Sequence, residues 1–109
     1  MENIVGLAES LADEFVNSHT YREYTRLKQK IDDDPELKQK IEAFYDASDA
    51  YEAGRLRGDE IHFDVERVLS GQYAEIWLNE DGHAYMKARN ALYDTLDRVY
   101  KIIGEKCGL

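Results

Sequence analysis

The chain has 109 residues, 43% hydrophobic and 34% charged, with a formal net charge of −9. That is the length of one domain. It is apolar enough to fold, and too acidic to take a nucleic-acid backbone or an anionic membrane surface as a direct partner. No run approaches the ~18 apolar residues of a membrane span. The opening Met-Glu-Asn-Ile lacks the basic region of a signal peptide. The single cysteine, Cys107, forbids an intrachain disulfide and suits a reducing compartment. A cytoplasmic protein is expected.

Residues 2–17 read as a first helix. Ile4, Leu7, Ala8, Leu11, Ala12 and Phe15 recur at helical spacing, with Gly6 a mild interior weakness. Asn17-Ser18-His19-Thr20 is a break made of capping residues. Thr20 followed by Glu23 fits a capping box, and Ser18 competes as N-cap. A second helix runs to about Asp32, its apolar edge formed by Tyr21, Tyr24, Leu27 and Ile31. Asp32-Asp33-Asp34 ends it, since carboxylates oppose the dipole at a helix C-terminus.

The stretch from Asp34 to Arg57 is the central rod. Asp34 is a preferred N-cap, Pro35 belongs at the first helical position, and Glu36 suits the positive end of the dipole. Leu37, Ile41, Phe44, Ser48 and Tyr51 then form one stripe. About 24 residues at ~1.5 Å each would span roughly 36 Å, and such a stripe requires helical neighbours. Gly58 marks the stop. A fourth helix, capped by Asp59 or Asp64, has a broad apolar face of Ile61, Val65, Val68, Leu69, Tyr73, Ile76 and Trp77, interrupted by Gly71. Asn79-Glu80-Asp81-Gly82 reads as a turn. The last helix is expected from about His83 to Lys106, with Tyr85, Ala88, Leu92, Leu96, Val99 and Ile103 as its stripe. Gly104 and Gly108 bracket its end. No strand-like alternation occurs. The fold class is all-α: an elongated helical bundle of about four to five helices with a long central helix. A core this small would gain stability by association, so an oligomer is expected.

Charge is uneven. Residues 1–20 carry four acids and no Lys or Arg; residues 42–66 carry eight acids against Arg55 and Arg57. Such a segment is either a solvated face or a docking surface for a basic partner. Eight tyrosines are many for this length. Tyr combines apolar area with a polar tip, which suits a bundle rim or an interface. Tyr45 and Tyr93, beside their apolar stripes, and Tyr51 are the candidate interface residues. Trp77 reads as a core plug.

The strongest catalytic alternative is a metal-dependent helical-bundle enzyme with a di-iron carboxylate centre. Bundles of that kind use two E-x-x-H pairs and two further glutamates. Here Glu80-x-x-His83 and the related Asp59-x-x-His62 have the spacing, with Glu14 and Glu42 as conceivable remaining ligands. Both pairs lie at predicted helix starts, where capping accounts for the acids. His19, His62 and His83 are too scattered for zinc, no nucleophilic triad is recognisable, and the glycines form no phosphate loop. No catalytic, metal or cofactor site is assigned.

One ordered set of residues resembles the YlbF/YmcA family of small bacterial helical proteins. It comprises Leu7-Ala8-x-x-Leu11-Ala12, Ser18-x-x-Tyr21-x-x-Tyr24, Asp34-Pro35-Glu36-Leu37 with Phe44, the Gly58 break, and Tyr85-x-x-Ala88 leading to Ile102-Ile103. The resemblance spans nearly the whole chain, 1–109, as a single helical domain. It implies an elongated, oligomer-forming regulatory protein without catalytic residues. Such proteins act with a third protein, YaaT, to promote mRNA processing by ribonuclease Y, on which competence, sporulation and biofilm formation depend. Protein partners in a homo- or hetero-oligomer are implied. The family complex is associated with cysteine-held iron–sulfur clusters; Cys107, being alone, could not hold one by itself.

Overall fold

A computed structural model describes residues 3–60 and 63–109. All regular structure among them is helical: α1 (Ile4–Val16), α2 (His19–Asp32), α3 (Pro35–Leu56), α4 (Phe63–Leu78) and α5 (Glu80–Cys107). The expected Ile61 and His62 lie outside the described residues. The chain divides into two compact units. One comprises the chain up to Lys28 together with Tyr85–Leu109, and the other Gln29–Ala84. Both α2 and α5 therefore contribute to each unit.

The central helix begins and ends where its sequence dictates. The Asp34 carboxylate accepts the Leu37 N–H at 3.2 Å, and Pro35 occupies the first turn. At the other end Gly58 has φ +82°, a conformation nearly free of steric cost only for glycine. This lets Gly58 N–H reach the Arg55 carbonyl and Asp59 N–H reach the Gly54 carbonyl, the paired bonds of a Schellman stop. Gly108 (φ +71°) closes α5 the same way, through Gly108 N–H to Glu105 O and Leu109 N–H to Gly104 O.

Two helix starts differ from expectation. Ser18 caps α2, not Thr20: its hydroxyl accepts the Tyr21 N–H at 3.2 Å and donates to the Phe15 carbonyl at 2.6 Å. One side chain thereby serves the end of α1 and the start of α2, which Thr20, inside the helix, could not do. The last helix begins at Glu80, three residues earlier than the turn signal suggests. Asn79 is its cap, the side chain accepting Gly82 N–H at 2.9 Å and the carbonyl accepting His83 N–H at 2.8 Å. Gly82 is thus helical. It is glycine because a Cβ there would stand 2.6 Å from the Ile76 carbonyl oxygen.

In the first unit Leu27, Tyr85, Met86, Ala88 and Leu92 are buried, and Tyr24 stacks on Tyr85 at 5.7 Å between centroids. Burial fades along α5: Leu96 and Val99 are half-buried and Ile103 is exposed. In the second unit Ile31, Leu37, Ile41 and Ile76 form the buried set, and α3 packs on α4. Two side-chain pairs tie these helices. Lys40 Nζ meets Glu75 Oε1 at 2.8 Å, and the Tyr51 hydroxyl donates to Glu66 Oε1 at 2.6 Å. The broad apolar face expected of α4 is only partly covered. Ile76 is buried, while Val65 and Val68 are exposed, because one neighbouring helix covers a narrower arc than the apolar residues occupy.

Candidate interaction surface

The most apolar helix of the chain is the least covered. No residue of α1 is buried; Leu7 is 67% exposed and Leu11 47%. Its stripe is nonetheless organised. Ala8, Leu11, Ala12 and Phe15 line an apolar groove of about 250 Å³ with Leu96 and Val99 of α5. Beyond that groove α5 exposes Tyr100, Ile102 and Ile103. Scattered single apolar residues on a surface need no explanation, whereas a whole amphipathic helix with its stripe open to water marks a surface another molecule covers. Tyr93 stands on this unit, 46% exposed, with the Arg89 guanidinium 4.6 Å above its ring.

The second unit carries a different surface, a continuous row of rings. Tyr45 meets Phe44 edge-on at 5.2 Å, Phe44 lies 5.7 Å from Tyr73, and Tyr73 stacks on Trp77 at 5.5 Å and 16°. Trp77 then meets His83 at 3.8 Å. His83 Nδ1 is 3.1 Å from the Trp77 carbonyl; a carbonyl only accepts, so Nδ1 carries the proton. Trp77 is half-buried within this row rather than a core plug. Tyr45 joins the row through Phe44, its neighbour on α3, whereas Tyr51 is held by its bond to Glu66 on α4. That bond to a carboxylate pushes the Tyr51 phenol above its ordinary pKa. The Lys40 ammonium is raised chiefly by its bond to Glu75, and the Arg55 guanidinium lowers the Glu52 carboxyl. The Tyr73–Trp77 spacing of four is visible in the sequence; its continuation across to Phe44 is set by how α3 meets α4.

The candidate metal ligands do other things. Asp59 pairs with Arg57 at 2.9 Å, His62 lies outside the described residues, and His83 turns Nδ1 to a backbone carbonyl. Glu14, Glu42 and Glu80 are exposed. Among the described residues no three His, Cys, Asp or Glu side chains are grouped so that they could hold a metal ion. Cys107 is exposed, and no described helix is long and apolar enough to cross a membrane.

Fold and surfaces together define an all-helical protein whose distinctive chemistry lies in uncovered apolar and aromatic faces. The family described as "Control of competence regulator ComK, YlbF/YmcA" matches residues 4–107, and the chain belongs to this family. That description is of a regulatory family. The chain is 30% identical to a UPF0342 protein of Caldicellulosiruptor saccharolyticus over 109 residues, all of this chain and 91% of that protein. It is 31% identical to a UPF0342 protein of Symbiobacterium thermophilum over 98 residues, 90% and 88% of the two. Its fold is similar to a chain of the crystal structure of Bacillus subtilis RicA in complex with RicF. There the TM-score is 0.61 and the identity 25%, over 94% of this chain and 90% of that one.

Proposed function

We propose that the protein is a non-enzymatic regulatory adaptor that works by burying the α1–α5 face against another helical subunit. The complex it joins modulates ribonuclease Y-dependent mRNA processing and, through it, competence, sporulation and biofilm formation. The observation that carries this reading is the uncovered stripe of α1: thirteen residues, none buried, with a groove already formed along one side. A solved relative of the same fold is in complex with a protein partner, which supports association as the working mode. Tyr93 and Tyr45 are further interface members in this proposal, and Tyr51 supports the second unit's surface. No described cluster of acids and histidines favours the metal-enzyme alternative.

Two substitutions test the mechanism. Leu7→Asp with Leu11→Asp places charge on side chains that no core needs, so helicity should persist while association in sedimentation velocity is lost. Tyr45→Asp with Tyr93→Asp should weaken assembly in the same assay. An oligomer unchanged by both pairs would overturn the association mechanism. In the cell, the Leu7/Leu11 variant should fail to restore transcript processing in a deletion strain that the unaltered chain restores. Transcript ends unaltered by deletion would remove the ribonuclease Y step.

A further inference from the structure

The uncovered face of α1 and α5 has one occupant that its own sequence supplies, a second copy of that face. We infer that two copies stack these faces about a two-fold axis running along the helices, so that α1 of each lies over α5 of the other. This rests on the association proposed above, and it adds which molecule covers the stripe and in which arrangement. One copy offers two helices with an open groove between them, where Ala8, Leu11, Ala12 and Phe15 meet Leu96 and Val99. That is half of a four-helix bundle, and a two-fold axis provides the other half. Ile4, Val5 and Leu7 of α1 and Tyr100, Ile102 and Ile103 of α5 are each more than half exposed. Together they present an area on the order of the ~800 Å² that each partner of a stable dimer buries.

Charge selects the arrangement. The helix α1 carries Glu9, Asp13 and Glu14 and no Lys or Arg. Glu14 follows Leu7 by seven positions and Leu11 by three, so it borders the edge of the stripe that those leucines form. It is exposed, and the ion pairs among the described residues do not involve it. On α5, Arg98, Ile102 and Lys106 follow at i, i+4 and i+8, which sets the exposed Ile102 between two cations. Arg98 is shared with Asp94 at 3.1 Å, in a pair that is largely exposed and therefore weak. Asp97 borders the opposite edge, beside Tyr93 and Tyr100, away from this contact. Were α1 stacked on α1 of the second copy, no carboxylate of either helix would meet a cation. Stacked on α5 of the second copy, the Leu7–Leu11–Glu14 edge meets the basic edge at Ile102, and symmetry repeats that contact.

Sedimentation velocity of the full chain at low salt tests the arrangement. The unaltered protein should form dimers. Glu14→Lys should weaken them about tenfold, and so should Arg98→Glu with Lys106→Glu, since each exposed contact contributes little but occurs twice. An equimolar mixture of the two variants should regain the affinity of the unaltered chain as a mixed dimer, because each α1 then faces opposite charge again. Recovery on mixing also shows that both variants are folded. Variants that dimerise as tightly as the unaltered chain, or a mixture no tighter than its components, would overturn the arrangement. Neither result bears on the Leu7/Leu11 experiment, which judges the association itself. A chain that sediments singly at every concentration would overturn the second copy as the occupant, and the transcript experiment would still judge the adaptor reading.

Discussion

Adding one methyl group at Gly82 and at Gly71 should move stability in opposite directions. Both glycines are helical and neither has a positive φ. At Gly71, in the middle of α4, a Cβ would meet nothing within 4 Å. Alanine there restricts the unfolded chain and improves helix propensity, a gain of about 0.5–1 kcal/mol. At Gly82 the same Cβ would stand 2.6 Å from the Ile76 carbonyl oxygen and 3.0 Å from its Cγ2. Ile76 is 1% exposed, so its side chain has little room to retreat. Its carbonyl also accepts Asn79 N–H at 3.1 Å, so moving the backbone loosens the end of α4. Overpacking of this kind costs about 1–3 kcal/mol, which outweighs the same propensity gain. Gly82→Ala should therefore lose about 1–2 kcal/mol net. For a domain near this size that is a fall of roughly 5–15 °C in Tm, against a rise of a few degrees for Gly71→Ala. Thermal and urea denaturation followed by circular dichroism, at one fixed protein concentration because association adds to apparent stability, measure both. A Gly82→Ala protein as stable as Gly71→Ala would refute the close approach of α5 to the end of α4.

Asp34→Ala should destabilise by about 1 kcal/mol through loss of the bond to Leu37 N–H, and Asp34→Ser should recover most of it; equal loss in both would show that the cap is not what the carboxylate supplies. The Tyr51 phenol, raised above its ordinary value by its bond to Glu66, binds its proton more tightly folded than unfolded. Its small stabilising contribution is complete below about pH 10, the ordinary tyrosine value, and is lost as pH rises through the folded value. In an absorbance titration of the tyrosines, Tyr51→Phe should remove a late step, and loss of an ordinary step instead would contradict the bond.

The bounds of α3 were legible because its ends are fixed by dihedral chemistry. Asp34-Pro35 fixes the start locally through a cap and a set φ, and Gly58 allows the positive φ that stops the helix. The start of α2 was less so. Ser18 and Thr20 have the same capping chemistry, and the bond from Ser18 to the Phe15 carbonyl that favours Ser18 depends on how α1 ends. Asn79-Glu80-Asp81-Gly82 was misleading because a capping Asn followed by acids reads equally as a turn and as a helix start. What distinguishes Gly82 is the nearness of Ile76, a tertiary fact. The stripe of α1 was plain in the sequence, but apolar periodicity is identical whether the chain's own core or another molecule covers it. Tyr45 and Tyr93 are legible as candidates from their position beside stripes. The ring row joining Tyr45 to Trp77 is not, since Phe44 and Tyr73 are 29 positions apart and meet only when α3 and α4 pack.

Hydrogen exchange of the α1 amides across a dilution series tests the central claim most directly. If another copy or a related subunit covers the stripe of Ile4–Val16, protection there should rise with protein concentration while α3 stays unchanged. Leu7→Asp with Leu11→Asp should hold α1 at its dilute-limit rate. Protection of α1 that is the same at every concentration, in a particle that sediments as a single chain throughout, would contradict the account.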